Sequence, residues 1–302
     1  MNTPFYLFCK SYIGDLRRVN LLWNSIQKHN KNNIPFYLSV PQKDLIKFKE
    51  GIRSPEGIIW ITDEEIVRSN QLSNLDTYYE WDGRLSQQVI KAEFWRIFNG
   101  NKIGYLCLDS ESIFIKDFYL NDFLSGDGNV YTVIHQNKEL LQMAANKKID
   151  KVLTNFNHVC EMLKQVFRRV GPNYDFGPTP VIWSSEVWRA LEANYLKPNQ
   201  MTIWDAIKLC PSELQWYGEA LLQFMPISLL PLEPLFKVYH YDWQFYFAKK
   251  SHETTVTLSK NYLGYLRQSN WDYDSDYGSH ALRKSFGSRV LRKIKRFFAR
   301  YR

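Results

Sequence analysis

The sequence predicts an α/β fold with a mostly parallel central sheet, and three observations predict it. Strand-like apolar runs alternate with helix-patterned segments through the first 65 residues. An amphipathic helix over residues 85–98 then feeds into a further short apolar run. That run ends in two carboxylates one residue apart, Asp109 and Glu111. Strand–helix–strand alternation at this spacing is βαβ connectivity, which makes neighbouring strands parallel and covers both faces of their sheet.

The elements follow in order. Residues 5–9 read as a first strand, and residues 15–29 place Leu16, Val19, Leu22, Trp23 and Ile26 at helical spacing. Residues 34–40 form a second strand and 41–50 a helix; residues 57–62 form a third strand before the acidic helix start at 63–65. In the helix over 85–98, Val89, Ile90, Phe94, Ile97 and Phe98 share one side, and Lys91 sits opposite that stripe. Residues 103–108 are rich in Ile, Leu, Tyr and Cys and follow Asn-Gly-Asn, which reads as a buried strand. Residues 130–135 suggest another strand, and 138–169 a polar helical stretch. A Gly/Pro/Asn turn region over 171–180 precedes a short strand at 181–183 and a helix over 186–193. Residues 212–224 form a helix, and 229–241 return to β character interrupted by Pro231 and Pro234.

Composition excludes several classes. The chain has 302 residues, enough for one large domain that needs no disulfide. Cys9, Cys107, Cys160 and Cys210 form no CxxC or Cys/His ligand spacing; Cys9 and Cys107, inside strand-like runs, read as small buried hydrophobes, and free buried thiols fit a reducing compartment. The N-terminal apolar run is too short for a signal segment and no stretch reaches membrane-spanning length, which predicts a soluble or surface-attached protein. The net charge of +8 is local: nine of the 39 basic residues lie in 283–302, which has no acid, and the other 30 face 31 acids. A near-neutral body argues against a nucleic-acid groove across the fold. There is no GxGxxG and no GxxxxGK[ST], so dehydrogenase and P-loop readings lack their phosphate loop.

Carboxylates just past a buried strand lie at the sheet rim where α/β folds place ligands. At i and i+2 of near-extended chain, Asp109 and Glu111 can point the same way and share one hard cation. Such a cation neutralises a diphosphate, which suggests an enzyme acting on nucleotide-activated substrates.

Three segments carry a family resemblance: QQVIKAEFWRIFNGNKIGYLCLDSESIFIKDF, GPTPVIWSSEVWRALE and SELQWYGEAL. Over residues 3–245 the chain resembles the GT-A glycosyltransferases. More narrowly, it resembles bacterial glycosyltransferase-like proteins of unknown specificity whose mark is a strand ending in an Asp-Ser-Asp-type triplet, here Asp109-Ser110-Glu111. The resemblance implies a three-layer α/β/α nucleotide-sugar-binding fold, a UDP- or GDP-sugar donor and a divalent cation, Mn²⁺ or Mg²⁺. It implies direct metal ligation by Glu111, with Asp109 reaching the metal or the ribose and Ser110 between them. It adds His240 as a further metal ligand, for which Asp242 is the substitute. Glu in the triplet's third place departs from the commoner Asp.

Glu213 opens a helix behind Ser212, a fair N-cap. A carboxylate there answers the helix dipole, and it also suits a general base that deprotonates the acceptor hydroxyl. Lys91, with Gln87 one turn earlier, suits a diphosphate or is simply a solvated helix lysine. Arg17 is a further phosphate or acceptor candidate. Ser11 and Tyr12 follow the first strand, where this fold meets the nucleotide base. Trp216, Trp243 and Trp271 are candidates for stacking on sugars or for the core. The segment 267–271 is a candidate to close over the diphosphate.

The expected organisation is a catalytic domain over 1–280, with a helical insertion at 138–170 that forms an acceptor side or a lid, and a basic amphipathic tail over 281–302. In the tail, Leu282, Phe286, Val290, Ile294, Phe297 and Tyr301 recur at helical spacing among nine cations, which reads as an anchor for anionic lipid. The expected function is a metal-dependent glycosyltransferase using a nucleotide sugar and a glycan or lipid-linked hydroxyl acceptor, cytoplasmic and peripheral to the inner membrane face. The alternatives are an inactive nucleotide- or glycan-binding protein on the same scaffold and a nucleic-acid-binding protein acting through its tail.

Overall fold

A computed structural model describes residues 4–146 and 150–272, together with Tyr277, Gly287, Val290, Leu291 and Ile294. The first half runs β1 (Phe5–Lys10), α1 (Leu16–His29), β2 (Phe36–Val40), α2 (Leu45–Gly51), β3 (Ile58–Thr62), α3 (Asp63–Arg68), α4 (Leu75–Glu80), α5 (Gly83–Glu93), β4 (Gly104–Leu108) and β5 (Ser112–Phe114). The second half runs β6 (Thr132–Val133), α6 (Lys138–Asn146), α7 (Asp150–Val166), β7 (Val181–Ser184), α8 (Ser185–Leu191), α9 (Ile203–Leu209), α10 (Glu213–Phe224), β8 (Pro231–Leu232), β9 (Phe236–Tyr239), α11 (Asp242–Lys250), α12 (Thr255–Leu258) and β10 (Gly264–Arg267).

The central sheet has the order β3-β2-β1-β4-β7. Its first four strands are mutually parallel, and β7 closes the edge antiparallel to β4. Helices lie on both sides, as the α/β reading expects. Side-chain alternation shows why both faces are apolar. On one face Tyr6 stacks on Phe98 and Phe8 on Phe94; on the other Phe5 stacks on Phe123, and Phe36 of β2 on Trp23 of α1. Because β1 to β4 run the same way, Lys10, Val40, Thr62 and Leu108 end along one rim. A second sheet, β5-β10-β9, joins the segment after the carboxylates to the C-terminal part of the chain.

Several elements depart from expectation. The helix anticipated over 85–98 begins at Gly83, where Asp82 caps it, and tightens after Glu93 into a 3₁₀ turn, Phe94–Phe98. That turn lets Phe94 and Phe98 both reach the sheet. The strand anticipated over 130–135 shrinks to β6, and residues 229–241 split into β8 and β9. Helices α4, α9 and α11 carry too little periodic signal to be anticipated. All four cysteines are free and buried, as was expected of Cys9 and Cys107. Among the described residues no helix is long and apolar enough to cross a membrane. The anticipated tail helix over 281–302 lies outside the described residues, apart from the helical positions Gly287, Val290, Leu291 and Ile294.

Candidate active site

The last turn of α5 lies beneath the end of β4, fixed by the Tyr105 hydroxyl, which donates to the Lys91 carbonyl at 3.0 Å. Lys91 is therefore buried, not on a solvated face as its spacing suggested. Its Nζ donates to Asp109 Oδ1 at 2.6 Å and lies 3.7 Å from Glu213 Oε1. Burial opposes the ammonium charge, but Asp109 and Glu213 outweigh it and hold the Lys91 pKa well above its ordinary value. Burial pushes the Glu213 carboxyl up against the opposing pull of Lys91. Ser212 caps α10 by accepting from the Gln215 amide at 3.3 Å, so the helix start that presents Glu213 is fixed locally.

The other half of the triplet faces different partners. Ser110 Oγ donates to Asp15 Oδ2 at 2.9 Å, and Asp15 in turn holds Arg18. Arg18 also donates to the Asp272 carbonyl at 2.6 Å. Glu111 Oε1 accepts from the Ser269 amide at 3.0 Å, which ties the triplet to the segment after β10. Burial, then the charges of Asp109 and Asp15, push the Glu111 pKa up to about 7. Segment 267–271 thus lies against Glu111, and Arg18, Glu111, Arg267 and Asp272 line a cavity of about 10 Å³ there.

At the end of β1, Ser11 is buried with its Oγ unpartnered, while Tyr12 is exposed. Arg17 is exposed, and the neighbouring Arg18 is the buried arginine beside the triplet. Periodicity pointed to the helix but not to which arginine turns inward. Gln87 reaches back to the Arg84 carbonyl at 3.4 Å. Trp216 and Trp271 belong to the interior: Trp216 Nε1 donates to the Ala206 and Cys210 carbonyls, and Trp271 Nε1 to Tyr239. Trp243 stacks on Tyr241 with ring centroids 5.7 Å apart.

Two groups escaped the sequence reading. Asp63 is fully buried at the rim and gathers Lys10 at 2.9 Å, Tyr78 at 2.8 Å and Ser39 at 2.6 Å. Its place in an acidic helix start, Asp63-Glu-Glu65, reads as capping chemistry, which conceals it. His135 and Asp175, 40 residues apart in sequence, pair through both backbone hydrogen bonds. No short motif marks such a pair.

The model of the Family of unknown function (DUF6492) matches residues 4–276. The chain belongs to that family. No curated protein matches. Three solved structures share part of its shape at low sequence identity. WbbM, a bifunctional glycosyltransferase in its apo structure, is 12% identical with a TM-score of 0.44, over 97% of this chain and 52% of that one. Mouse xyloside xylosyltransferase 1, apo form, is 10% identical with a TM-score of 0.45, over 88% and 98%. The galactosyltransferase LgtC, in complex with donor and acceptor sugar analogs, is 12% identical with a TM-score of 0.45, over 89% and 90%. The chain spans about half the length of WbbM.

For a divalent cation, the donor set decides the fit. Among the described residues no three His, Cys, Asp or Glu side chains come together as a metal-holding group. His240 is thus not gathered with Asp109 and Glu111; burial lowers its pKa, and Asp175 and His135 are its titratable neighbours. Two carboxylates at a rim do suit a cation that takes its remaining ligands from substrate phosphates and water, as Mg²⁺ commonly does.

Proposed function

We propose that the protein is a glycosyltransferase that moves a sugar from a nucleotide-diphosphate sugar to a hydroxyl acceptor, with residues 1–280 as its catalytic domain. One observation carries this reading: the buried Lys91–Glu213 pair joined to the half-buried Asp109 at the carboxyl rim of a parallel sheet. Folding leaves charge desolvated in this way only where it is tightly paired, and such arrays mark functional sites. The sequence resemblance to GT-A enzymes supplies the reaction class.

Ser11 and Tyr12 would meet the nucleotide, the unpartnered Ser11 Oγ offering a hydrogen bond. Lys91 would face the diphosphate and stabilise charge as the bond from the anomeric carbon to the diphosphate oxygen breaks. In an inverting course the acceptor oxygen attacks that carbon and its proton passes to Glu213, whose burial raises its basicity. A retaining course needs no such base, and the anomeric configuration of the product, read by NMR, separates the two. A divalent cation, Mn²⁺ or Mg²⁺, held by Asp109 and Glu111, would neutralise charge on the departing diphosphate.

The tail, with nine Lys and Arg in 283–302, would hold the enzyme to an anionic cytoplasmic membrane face near a lipid-linked or envelope glycan. Donor hydrolysis with UDP- and GDP-sugars and Mn²⁺ tests the enzyme reading. Turnover is expected to fall by about a hundredfold or more in Asp109→Ala. Turnover unchanged in both Asp109→Ala and Lys91→Met removes this site from the reaction. Selective thermal stabilisation by a nucleotide sugar without any turnover identifies a binding protein on the same scaffold.

A further inference from the structure

A cavity of about 650 Å³ opens between the His135–Asp175 bridge and strand β9, a size that suits a small-molecule site. Its distinguishing feature is the hydrogen-bonding capacity that its lining leaves uncommitted. Among the described residues, the side chains of Gln136, His240, Asn261 and Tyr262 have no hydrogen-bond partner. Asn137 commits its amide nitrogen to Asp175 Oδ2 at 2.7 Å, and Gln244 its oxygen to the Tyr241 amide at 3.1 Å. The Asn137 oxygen and the Gln244 nitrogen are left over. All six side chains line the cavity, and all but the exposed Asn261 are half-buried. Together they offer donors and acceptors, which is what a set of hydroxyl groups requires, since each hydroxyl both donates and accepts.

Charge in this region is balanced. Lys138 and Lys237 stand against Glu233 and the Asp175 carboxylate in the wall, and Lys237 is already partnered. Both Asp175 oxygens are engaged, Oδ2 by Asn137 and Oδ1 by the Gly177 amide at 2.9 Å. His135 Nε2 donates to the Gly177 carbonyl at 2.6 Å while its Nδ1 accepts from the Asn137 amide at 3.3 Å, an arrangement that requires the uncharged ring. Burial lowers the His240 pKa, so that ring is uncharged near neutrality as well. A ligand with net charge would meet no unmatched countercharge here, whereas an uncharged one disturbs no balance.

The same bonds hold the wall of residues 135–137 and 175–177 before any ligand arrives, which lowers the ordering cost of binding. Tyr262 adds an aromatic ring with a polar tip, a combination that suits a molecule with both C–H surface and hydroxyls. We propose that this cavity binds an uncharged saccharide, with Gln136, Asn137, His240, Gln244, Asn261 and Tyr262 meeting its hydroxyl groups. The site stands apart from the transferase reading and does not depend on turnover at Asp109 and Lys91.

Saturation-transfer NMR and calorimetry on the full chain test this with four probes: a neutral disaccharide, its uronic-acid and amino-sugar counterparts, and uridine. The neutral disaccharide should bind more tightly than either charged counterpart. Gln136→Leu combined with Asn261→Leu removes two amides on which no described residue depends. Circular dichroism and the thermal midpoint should therefore be unchanged, while binding of the neutral disaccharide falls about tenfold or more. If the double variant is less stable, Gln136→Ala and Asn261→Ala are read singly, and each should weaken binding severalfold. Four results overturn the proposal: no binding of the neutral disaccharide at millimolar concentration, tighter binding of a charged counterpart, affinity unchanged by the substitutions, or uridine binding tighter than the disaccharide and lost in the variants. The last would assign the cavity to a nucleoside. Donor hydrolysis is measured in parallel on the unsubstituted chain. Amide-dependent sugar binding without donor turnover counts against the transferase reading and leaves the saccharide site standing; donor turnover without sugar binding in the cavity does the reverse.

Discussion

Lys91 places one positive charge against two carboxylates of unequal exposure: Asp109 reaches solvent, while Glu213 is buried. Removing the cation strands the buried member. Lys91→Met should therefore cost about 3 kcal/mol in urea denaturation, and adding Glu213→Gln should recover part of that loss. A single variant as stable as the parent would show that the ion array is not a structural charge balance. Glu111 yields a second prediction with a defined sign. Its folded pKa of about 7 lies above the ordinary carboxylate value, so between those two pH values the folded protein binds the extra proton. The Glu111 contribution to stability is fully present below the unfolded pKa and is lost as pH rises through about 7. Thermal melts at pH 5 and pH 8 should show a smaller fall for Glu111→Gln than for the parent, because the amide does not titrate and its oxygen can still accept from Ser269. An equal fall in the two proteins would assign the pH dependence elsewhere. The third-place glutamate also has a geometric reading here: its carboxylate reaches the Ser269 amide, a contact for which an aspartate is one methylene shorter.

Helix α10 is held near its middle, at Gly218 and Glu219, and each hold is testable. Arg169 pairs with the fully buried Glu219, its Nη2 donating to Oε1 at 2.8 Å. Arg169→Met leaves an uncompensated buried carboxylate and should destabilise by about 3 kcal/mol or more, read from denaturant midpoints. Gly218 lies against Phe176, and a Cβ there would stand 1.9 Å from the ring. Gly218→Ala must displace the Phe176 ring, with a stability cost of about 1–3 kcal/mol read from the same midpoints. Element by element, legibility followed signal strength. The βαβ series, the burial of the strand before Asp109 and the capped start of α10 follow from periodicity and capping residues, which are local. The pairing of His135 with Asp175, the inward turn of Arg18 instead of Arg17 and the burial of Lys91 depend on tertiary contacts between distant segments. No periodic pattern encodes those. Lys91 shows this most clearly: helical spacing puts it opposite the apolar stripe, yet the end of β4 and the start of α10 cover that side too.

At the scale of the molecule, charge is divided along the chain instead of spread over it. Residues 283–302 carry nine cations and no acid, so a chain ending at Leu282 has 30 basic residues against 31 acidic ones. The family match stops at residue 276, and the buried core of the described residues draws on residues up to Trp271. Truncation after Leu282 should thus leave the thermal midpoint nearly unchanged while removing almost all of the protein's long-range positive field. Within the removed segment, Val290, Leu291 and Ile294 are exposed apolar side chains among the cations, the pairing that binds an interface through both charge and burial. Sedimentation with phosphatidylglycerol vesicles should show binding by the full chain that weakens as ionic strength rises, since the Debye length shrinks to about 8 Å at physiological salt. Phosphatidylcholine vesicles should bind far less, and the truncated chain should bind neither. Vesicle binding unchanged by truncation would relocate the membrane contact to the body. Loss of RNA binding on truncation, with no vesicle binding by the full chain, would instead assign the tail to nucleic acid. The salt series separates the two contributions within the expected outcome. A purely electrostatic tail releases the vesicle at high salt, whereas a tail that also inserts its apolar residues retains a salt-resistant fraction.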